Sequence, residues 1–308
     1  MAMQISGVTI QGGMNIQPAG SSSSPTPSYS FQGSNYGYTS GGQPGTNVID
    51  KFSLISDSNA TDVGDLTSNR WTVTGQSSSD SGYTSGGQSN DNTIDKFPFS
   101  SDANATDVGD LTIGRQYPAG QSSGLSGYSS GGTSSGETTV IDKFPFSSDG
   151  NATDVGDLTQ ARYSAAGQSS DVSGYTSGGY FNTYVDTVDK FPFSTDANAT
   201  DVGDLTQAVY FVSGQSSTAS GYTSGGYPAT NTIDKFPFAS DANATDVGDL
   251  TMERRQAAGQ SSTASGYTSG GYPATNTIDK FPFASDANAT DVGDLTISNH
   301  RNAAGQQY

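Results

Sequence analysis

From Gly82 to Thr112 the chain reads GYTSGGQSNDNTIDKFPFSSDANATDVGDLT, and close copies of this stretch fill most of the sequence. Its opening hexapeptide starts at Gly37, Gly82, Gly127 (as GYSSGG), Gly174, Gly221 and Gly266, in steps of 45, 45, 47, 47 and 45 residues. Asp50, Asp95, Asp142, Asp189, Asp234 and Asp279 each open an Asp-Lys-Phe in the same rhythm, and residues 214–251 return unchanged as 259–296. A fixed period between 20 and 50 residues marks a solenoid, a propeller or an array.

Inside one copy the apolar residues are few but regularly placed. The second copy reads as four short strands at about 72–78, 82–85, 93–99 and 108–112, separated by clusters of Gly, Ser, Asn and Asp. That is strand-and-turn chemistry with no 3.6-residue period. Pro98 and its counterparts cannot donate to a sheet ladder, which sets the third strand toward the outer part of a blade. The bland alternative is disorder. Leu, Ile, Val and Phe total 48 residues, 16% of 308, below the roughly 20% at which a highly charged chain is suspected of it. Against disorder stands one Tyr per copy (Tyr38, Tyr83, Tyr128, Tyr175, Tyr222, Tyr267) and one Phe (Phe52, Phe97, Phe144, Phe191, Phe236, Phe281). Each ring buries on the order of 150–250 Å², enough to offset a shortage of aliphatic residues.

Four strands in about 46 residues make one propeller blade. The expected fold is all-β: a six-bladed propeller over residues 28–308, with residues 1–27 left over as an N-terminal arm. The C-terminal Ala303-Ala304-Gly305-Gln306 matches the start of a repeat, so the C-terminus is expected to complete the first blade. In such a ring the loops after the double Gly (88–92, 133–139, 180–186, 227–231) and after Asp-Leu-Thr (69–72, 114–117, 208–211, 253–256) share one face. Both sets vary among copies, and variable loops on a rigid scaffold are where binding is built. Trp71, Tyr117, Tyr180, Phe181, Tyr184, Tyr210 and Phe211 are the binding candidates there, suited to sugars or protein partners. The opposite face carries the near-constant loop around residues 101–110. With the Asp of Asp-Lys-Phe it is expected to gather 24 of the 30 acids into one acidic surface.

Composition excludes several functions. The chain has no Cys, which removes disulfides, thiolate metal sites and thiol catalysis. Its one histidine, His300, leaves little general acid–base chemistry, and too few His and Arg exist for an oxidase or sialidase site. No enzyme is expected. A net charge of −18 argues against nucleic acid or an anionic membrane as partner. No signal peptide or apolar span of about 20 residues is present, so no membrane insertion is expected. Asp102, Asn104, Thr106 and Asp110 space their oxygens as a calcium loop does, but Asp107 stands where the sharp turn needs Gly. Turn capping is the preferred reading, calcium the alternative, and no other cofactor is expected. The Asn-Ala-Thr sequon of each copy is read as turn chemistry. Asp95-Lys96 and its counterparts point to opposite faces of a strand and are read as inter-blade pairing.

The repeat resembles kelch: Arg115, the small-residue strand 119–123, Gly131-Gly132, Phe144 and Leu158 stand in kelch order. It departs by carrying Asp-Leu-Thr in place of a final Trp. The Arg is replaced by Val209 in one copy and by Asn299, followed by Arg301, in the last. The blocks DKFPFxxDxNATDVGDLT and GQSSxxxSGYTSGG are also similar to repeat proteins among the virion components of marine and freshwater bacteriophages. Residues 1–17, with Ile5, Val8, Ile10 and Ile16, resemble the short strands by which such proteins attach to a particle. The resemblance implies a virion protein of a tail, fibre or capsid surface. Residues 1–27 would join it to other virion proteins in a larger assembly, and the variable face would meet a host-surface glycan or protein. A cellular carbohydrate-binding or surface-adhesion propeller is the alternative.

Overall fold

In the computed structural model, which describes residues 32–298 and 300–308, the chain forms an all-β six-bladed propeller. The second blade shows the pattern. Its innermost strand is Thr74–Ser77, followed outward by Ser81–Gly87, Asp91–Pro98 and Thr106–Asp110. All neighbours are antiparallel. The outer strand starts and ends two residues before its expected position. Leu111 therefore leaves the ladder and buries its side chain between blades. Pro98 ends the third strand beyond its last pairing with the outer one, so no ladder bond is lost. The first blade takes its innermost strand, Ala304–Gln307, from the C-terminus, where it pairs with Tyr36–Ser40. The ring is closed by non-covalent strand pairing, as the repeat phase anticipates. The attachment arm, residues 1–27, lies outside the described residues.

The apolar core is divided among six clusters, each shared by two blades. Tyr83, Ile94 and Leu111 of the second blade enclose Phe144 and Ala152 of the third. The Tyr83 ring lies 5.5 Å from Phe144 and stacks on Phe146 at 4.8 Å. A single blade leaves these rings in water, which is why the module works only in tandem.

Polar links repeat at every junction. On the face of the near-constant loops, the lower face, each Lys of Asp-Lys-Phe reaches the next blade, as in Lys51 to Asp102 at 2.9 Å and Lys280 to Asp57 at 3.0 Å. Asn104 Oδ1 accepts the backbone N–H of Asp65 in the preceding blade, and its five counterparts do the same. The paired Lys of Asp-Lys-Phe thus acts between blades, as its strand position suggests.

The Asp of the same motif corrects the expected count on the acidic face. All six are buried beneath the upper face, where each accepts hydrogen bonds from the Thr of the preceding blade's Asp-Leu-Thr. Arg70, Arg115, Arg162 and Arg254 pair with four of them, at 2.6 Å for Arg70 and Asp95. Nor do the other three share one surface: Asp107 stands opposite Asp95 in the outer strand and Asp110 opposite Thr93 at its far end, which leaves Asp102 in the loop itself. Asp234 has no guanidinium because Val209 stands at that position. Burial pushes its carboxyl above the usual range, against the two Thr206 hydrogen bonds that favour ionisation. His300, not Asn299, occupies the Arg position of the closing blade, buried and bonded through Nε2 to the Gly41 carbonyl. Burial lowers the His300 pKa.

These two kinds of site make opposite predictions. Asp142→Asn strands the buried Arg115 charge, which has no second carboxylate, and should cost about 3–5 kcal/mol. Asp234→Asn removes a buried charge that has no cationic partner and should leave stability at pH 7 unchanged or higher. The folded-state pKa of Asp234 lies above the unfolded one, so the cost of ionising it is absent below the unfolded value. That cost grows as pH rises through the window and is complete above the folded pKa. The advantage of Asp234→Asn should therefore shrink as pH falls toward about 4. Urea unfolding of both variants at pH 7 and pH 4 measures this; equal losses at pH 7 would contradict it.

Candidate functional site: an aromatic cavity on the upper face

A ring of six residues around the axis frames the upper face. Thr72, Tyr117, Ser164, Phe211, Gln256 and Asn302 all adopt φ between 55° and 62°. Each donates its backbone N–H to the carbonyl of the preceding member, Thr72 to Asn302 and so on, at 2.7–3.0 Å. Left-handed φ is uncommon for residues other than Gly, and six closed hydrogen bonds hold it here.

Just outside that ring, each junction carries a two-residue bridge. The residue after the Arg position meets the residue after the next blade's double Gly: Gln116 with Thr133, Tyr163 with Tyr180, Tyr210 with Tyr227, Arg255 with Tyr272, and Arg301 with Gln43. At the remaining junction Gln88 N–H donates to the Trp71 carbonyl, while the Trp71 N–H donates to Gln88 Oε1. The double Gly makes this possible. Gly86 and Gly87 have φ of 72° and 146°, and a Cβ on Gly86 would meet the Arg115 carbonyl at 2.8 Å. The backbone frame is thus nearly six-fold while its side chains differ from blade to blade.

On one side of the mouth those side chains enclose a cavity of about 890 Å³. The rings run in contact from Tyr117 to Tyr163 (5.9 Å), Tyr180 (5.6 Å), Tyr184 (6.0 Å) and Tyr210 (5.5 Å, nearly parallel). Phe211 closes the arc inward, 5.4 Å from Tyr117 across the small Ser164. Tyr227 stands edge-on to Tyr210, then Arg255, Tyr272 and Arg301 continue the rim. Gln43, Gln256 and Asn302 supply amides. The two-residue insertion of the fourth blade folds Tyr180–Phe181 and Thr183–Tyr184 into a small hairpin. It carries Tyr184 over the cavity.

Burial first, then neighbouring phenols, pushes the hydroxyls of Tyr163 and Tyr210 above the ordinary tyrosine range. Arg255 works against this at Tyr210 without reversing it. At neutral pH these two phenols are protonated and act as hydrogen-bond donors.

Five of the seven sequence candidates converge here: Tyr117, Tyr180, Tyr184, Tyr210 and Phe211. Phe181 lies on the hairpin outside the lining, and Trp71 lies against Gly45 at another junction. Sequence reading misses Tyr163, Tyr227, Tyr272, Arg255 and Arg301. Their signal is positional, since Tyr227 and Tyr272 follow the double Gly as Tyr180 does, and Arg255 and Arg301 sit where Tyr210 sits.

In the calcium-like loop the side chains make local contacts. Asp102 is paired with Lys51, Asn104 caps Asp65, and Asp107 Oδ1 accepts the Gly109 N–H. Thr106 and Asp110 begin and end the outer strand. Among the described residues no group of three or more His, Cys, Asp or Glu converges, and no helix is long and apolar enough to cross a membrane. No protein-family model matches this chain, and no curated protein matches it.

Proposed function

We propose that this chain is a non-enzymatic adhesion protein that binds a surface glycan or protein through the aromatic cavity. The observation that carries the reading is the contrast between the faces. The lower face repeats the same ion pairs and caps at all six junctions. The upper face holds a constant backbone frame and changes its side chains into an aromatic arc. A frame of fixed geometry with varied side chains is how binding surfaces are built on rigid scaffolds.

Polarity supports display. The Gly33 N–H donates to the carbonyl of Ser261, the last residue of an inner strand, at the end away from the cavity. The repeat resemblance supports a phage virion as the setting. In this reading residues 1–27 attach the disk to a tail, fibre or capsid surface and the cavity faces the host.

A glycan array probed with the full chain and with the Tyr184→Ala/Tyr210→Ala pair tests the binding reading. The full chain should retain a discrete set of ligands, recovered chemically unchanged, and the pair should lose them by about 10-fold or more. A ligand set that ignores the pair would remove the cavity from the function. Deleting residues 1–27 should leave array binding intact and abolish incorporation into particles; normal incorporation would remove the anchor.

A further inference from the structure

Resting on that binding reading, we infer that the Arg255–Tyr272–Arg301 edge of the cavity is a subsite for the carboxylate of an acidic sugar. The chain has 12 Lys and Arg against 30 acids. Six Lys and four Arg form ion pairs with aspartate. Among the described residues only Arg255 and Arg301 have no carboxylate partner, and both line the aromatic cavity.

Their placement is specific. The Arg255 guanidinium lies 4.8 Å from the Tyr227 ring and 4.6 Å from Tyr272, and that of Arg301 lies 5.1 Å from the same Tyr272. Two cations thus share one phenol ring, an arrangement whose mutual repulsion an anion between them relieves. The Arg301 Nε–H is buried with no hydrogen-bond partner, as are those of the four ion-paired arginines, so what sets Arg301 apart is its lack of a carboxylate. Glu253 lies in the adjoining rim hollow with Arg255 and Tyr272 but forms no ion pair with either arginine.

The remaining lining selects the ligand class. Guanidinium forks match a carboxylate, and tyrosine faces pack against the C–H faces of pyranose rings. Amides of Gln43, Gln256 and Asn302 and protonated phenols offer partners to hydroxyls. A polyanion fits poorly, because a net charge of −18 opposes its approach and only two cations face it. A single carboxylate on a sugar of otherwise neutral hydroxyls satisfies both limits.

Calorimetric titration of the full chain with sialyllactose and galacturonic acid, each carrying one carboxylate, and with lactose and galactose as their neutral controls tests this. At least one acidic sugar should bind about 10-fold or more tighter than its neutral control, with the preference shrinking as salt rises. Arg255→Gln and Arg301→Gln should each bring that affinity down to the neutral level without lowering the melting temperature. Tyr184→Ala should weaken acidic and neutral sugars alike. Equal affinity for both classes, unmoved by either Arg substitution, would overturn the carboxylate subsite and leave the adhesion reading standing. Retention of the array ligands by the Tyr184→Ala/Tyr210→Ala pair would instead overturn the reading it rests on.

Discussion

A chain ending at Ala303 is expected to lose the cooperative unfolding transition of the complete ring. Residues 304–307 form the innermost strand of the first blade, paired with Tyr36–Ser40 along four positions. Removing them leaves Gly37 to Ser40 as an open edge toward the axis. Three further ties go with it. Gln306 Nε2 donates to the Tyr83 carbonyl at 2.8 Å, the Gln307 N–H to Ser77 Oγ at 3.1 Å, and the Asn35 and Tyr36 N–H groups to the Tyr308 carbonyl. Gly305 also sits between Gly75 and Gly259 in the innermost circle. Each core cluster spans two blades, so a first blade without its inner strand exposes Tyr38 at its junction with the second blade and Phe52 at its junction with the sixth. Losing a strand and its two junctions is comparable with the total stability of a domain, about 5–15 kcal/mol. The expected outcome is a melting temperature lower by tens of degrees, or no transition, read by circular dichroism. Association through the open edge should appear in size-exclusion chromatography. A synthetic peptide of residues 301–308 added in trans should restore the transition in a concentration-dependent way. An unchanged midpoint without peptide would show that the ring does not depend on its closing strand.

The blades are legible in the sequence because their cores are. Tyr83, Phe97 and their counterparts recur once per copy, and each inter-blade cluster takes one of each. Closure is legible for a related reason: residues 303–306 repeat the inner-strand signature that the first copy lacks. The fate of Asp95 is not. Alternation along a strand predicts which residues share a face, but it identifies the buried face only when the other is wet. Here a blade is covered on both sides, so Ile94 on one face and Asp95 and Phe97 on the other are all buried. Lys96 escapes because it lies low on the strand, near the rim. The cavity was half legible for a different reason. Tyr210 and Tyr227 belong to loops 17 residues apart, read separately as two variable stretches, and only the cross-junction bridge makes them neighbours. His300 shows how register decides such matters. Counting forward from Asp-Leu-Thr selects Asn299 as the Arg counterpart. Counting back from Gly305 selects His300, and the structure follows the second count because the inner strand is the element held by the ring.

Replacing one axial glycine, Gly167→Ala, should destabilise the ring more than any single surface change. Gly75, Gly120, Gly167, Gly214, Gly259 and Gly305 stand at the same position of the six inner strands. A Cβ on each would meet the carbonyl oxygen of the preceding blade's glycine at 2.1–2.3 Å. Real Cβ atoms do not approach so closely, and the obstacle is backbone in a paired strand, with no side-chain rotamer to yield. Relief requires the junction to open, which also strains the Gln168 bonds to Ser177 and to the Tyr222 carbonyl in the next blade. Overpacking of ordinary cores costs about 1–3 kcal/mol. A rigid backbone contact belongs at or beyond the upper end, so a loss of at least about 3 kcal/mol is expected in urea unfolding. Gly150→Ala is the matched control, because a Cβ there meets nothing within 4 Å. It should leave the midpoint within about 0.5 kcal/mol of the parent. The circle also links blade number to contact. The six glycines touch head to tail, so a ring with one more blade of the same strands would pull them apart, and one with fewer would press the carbonyls into the next backbone. If Gly167→Ala unfolds no more readily than Gly150→Ala, the inner strands are not in contact and the glycines do not set the size of the ring.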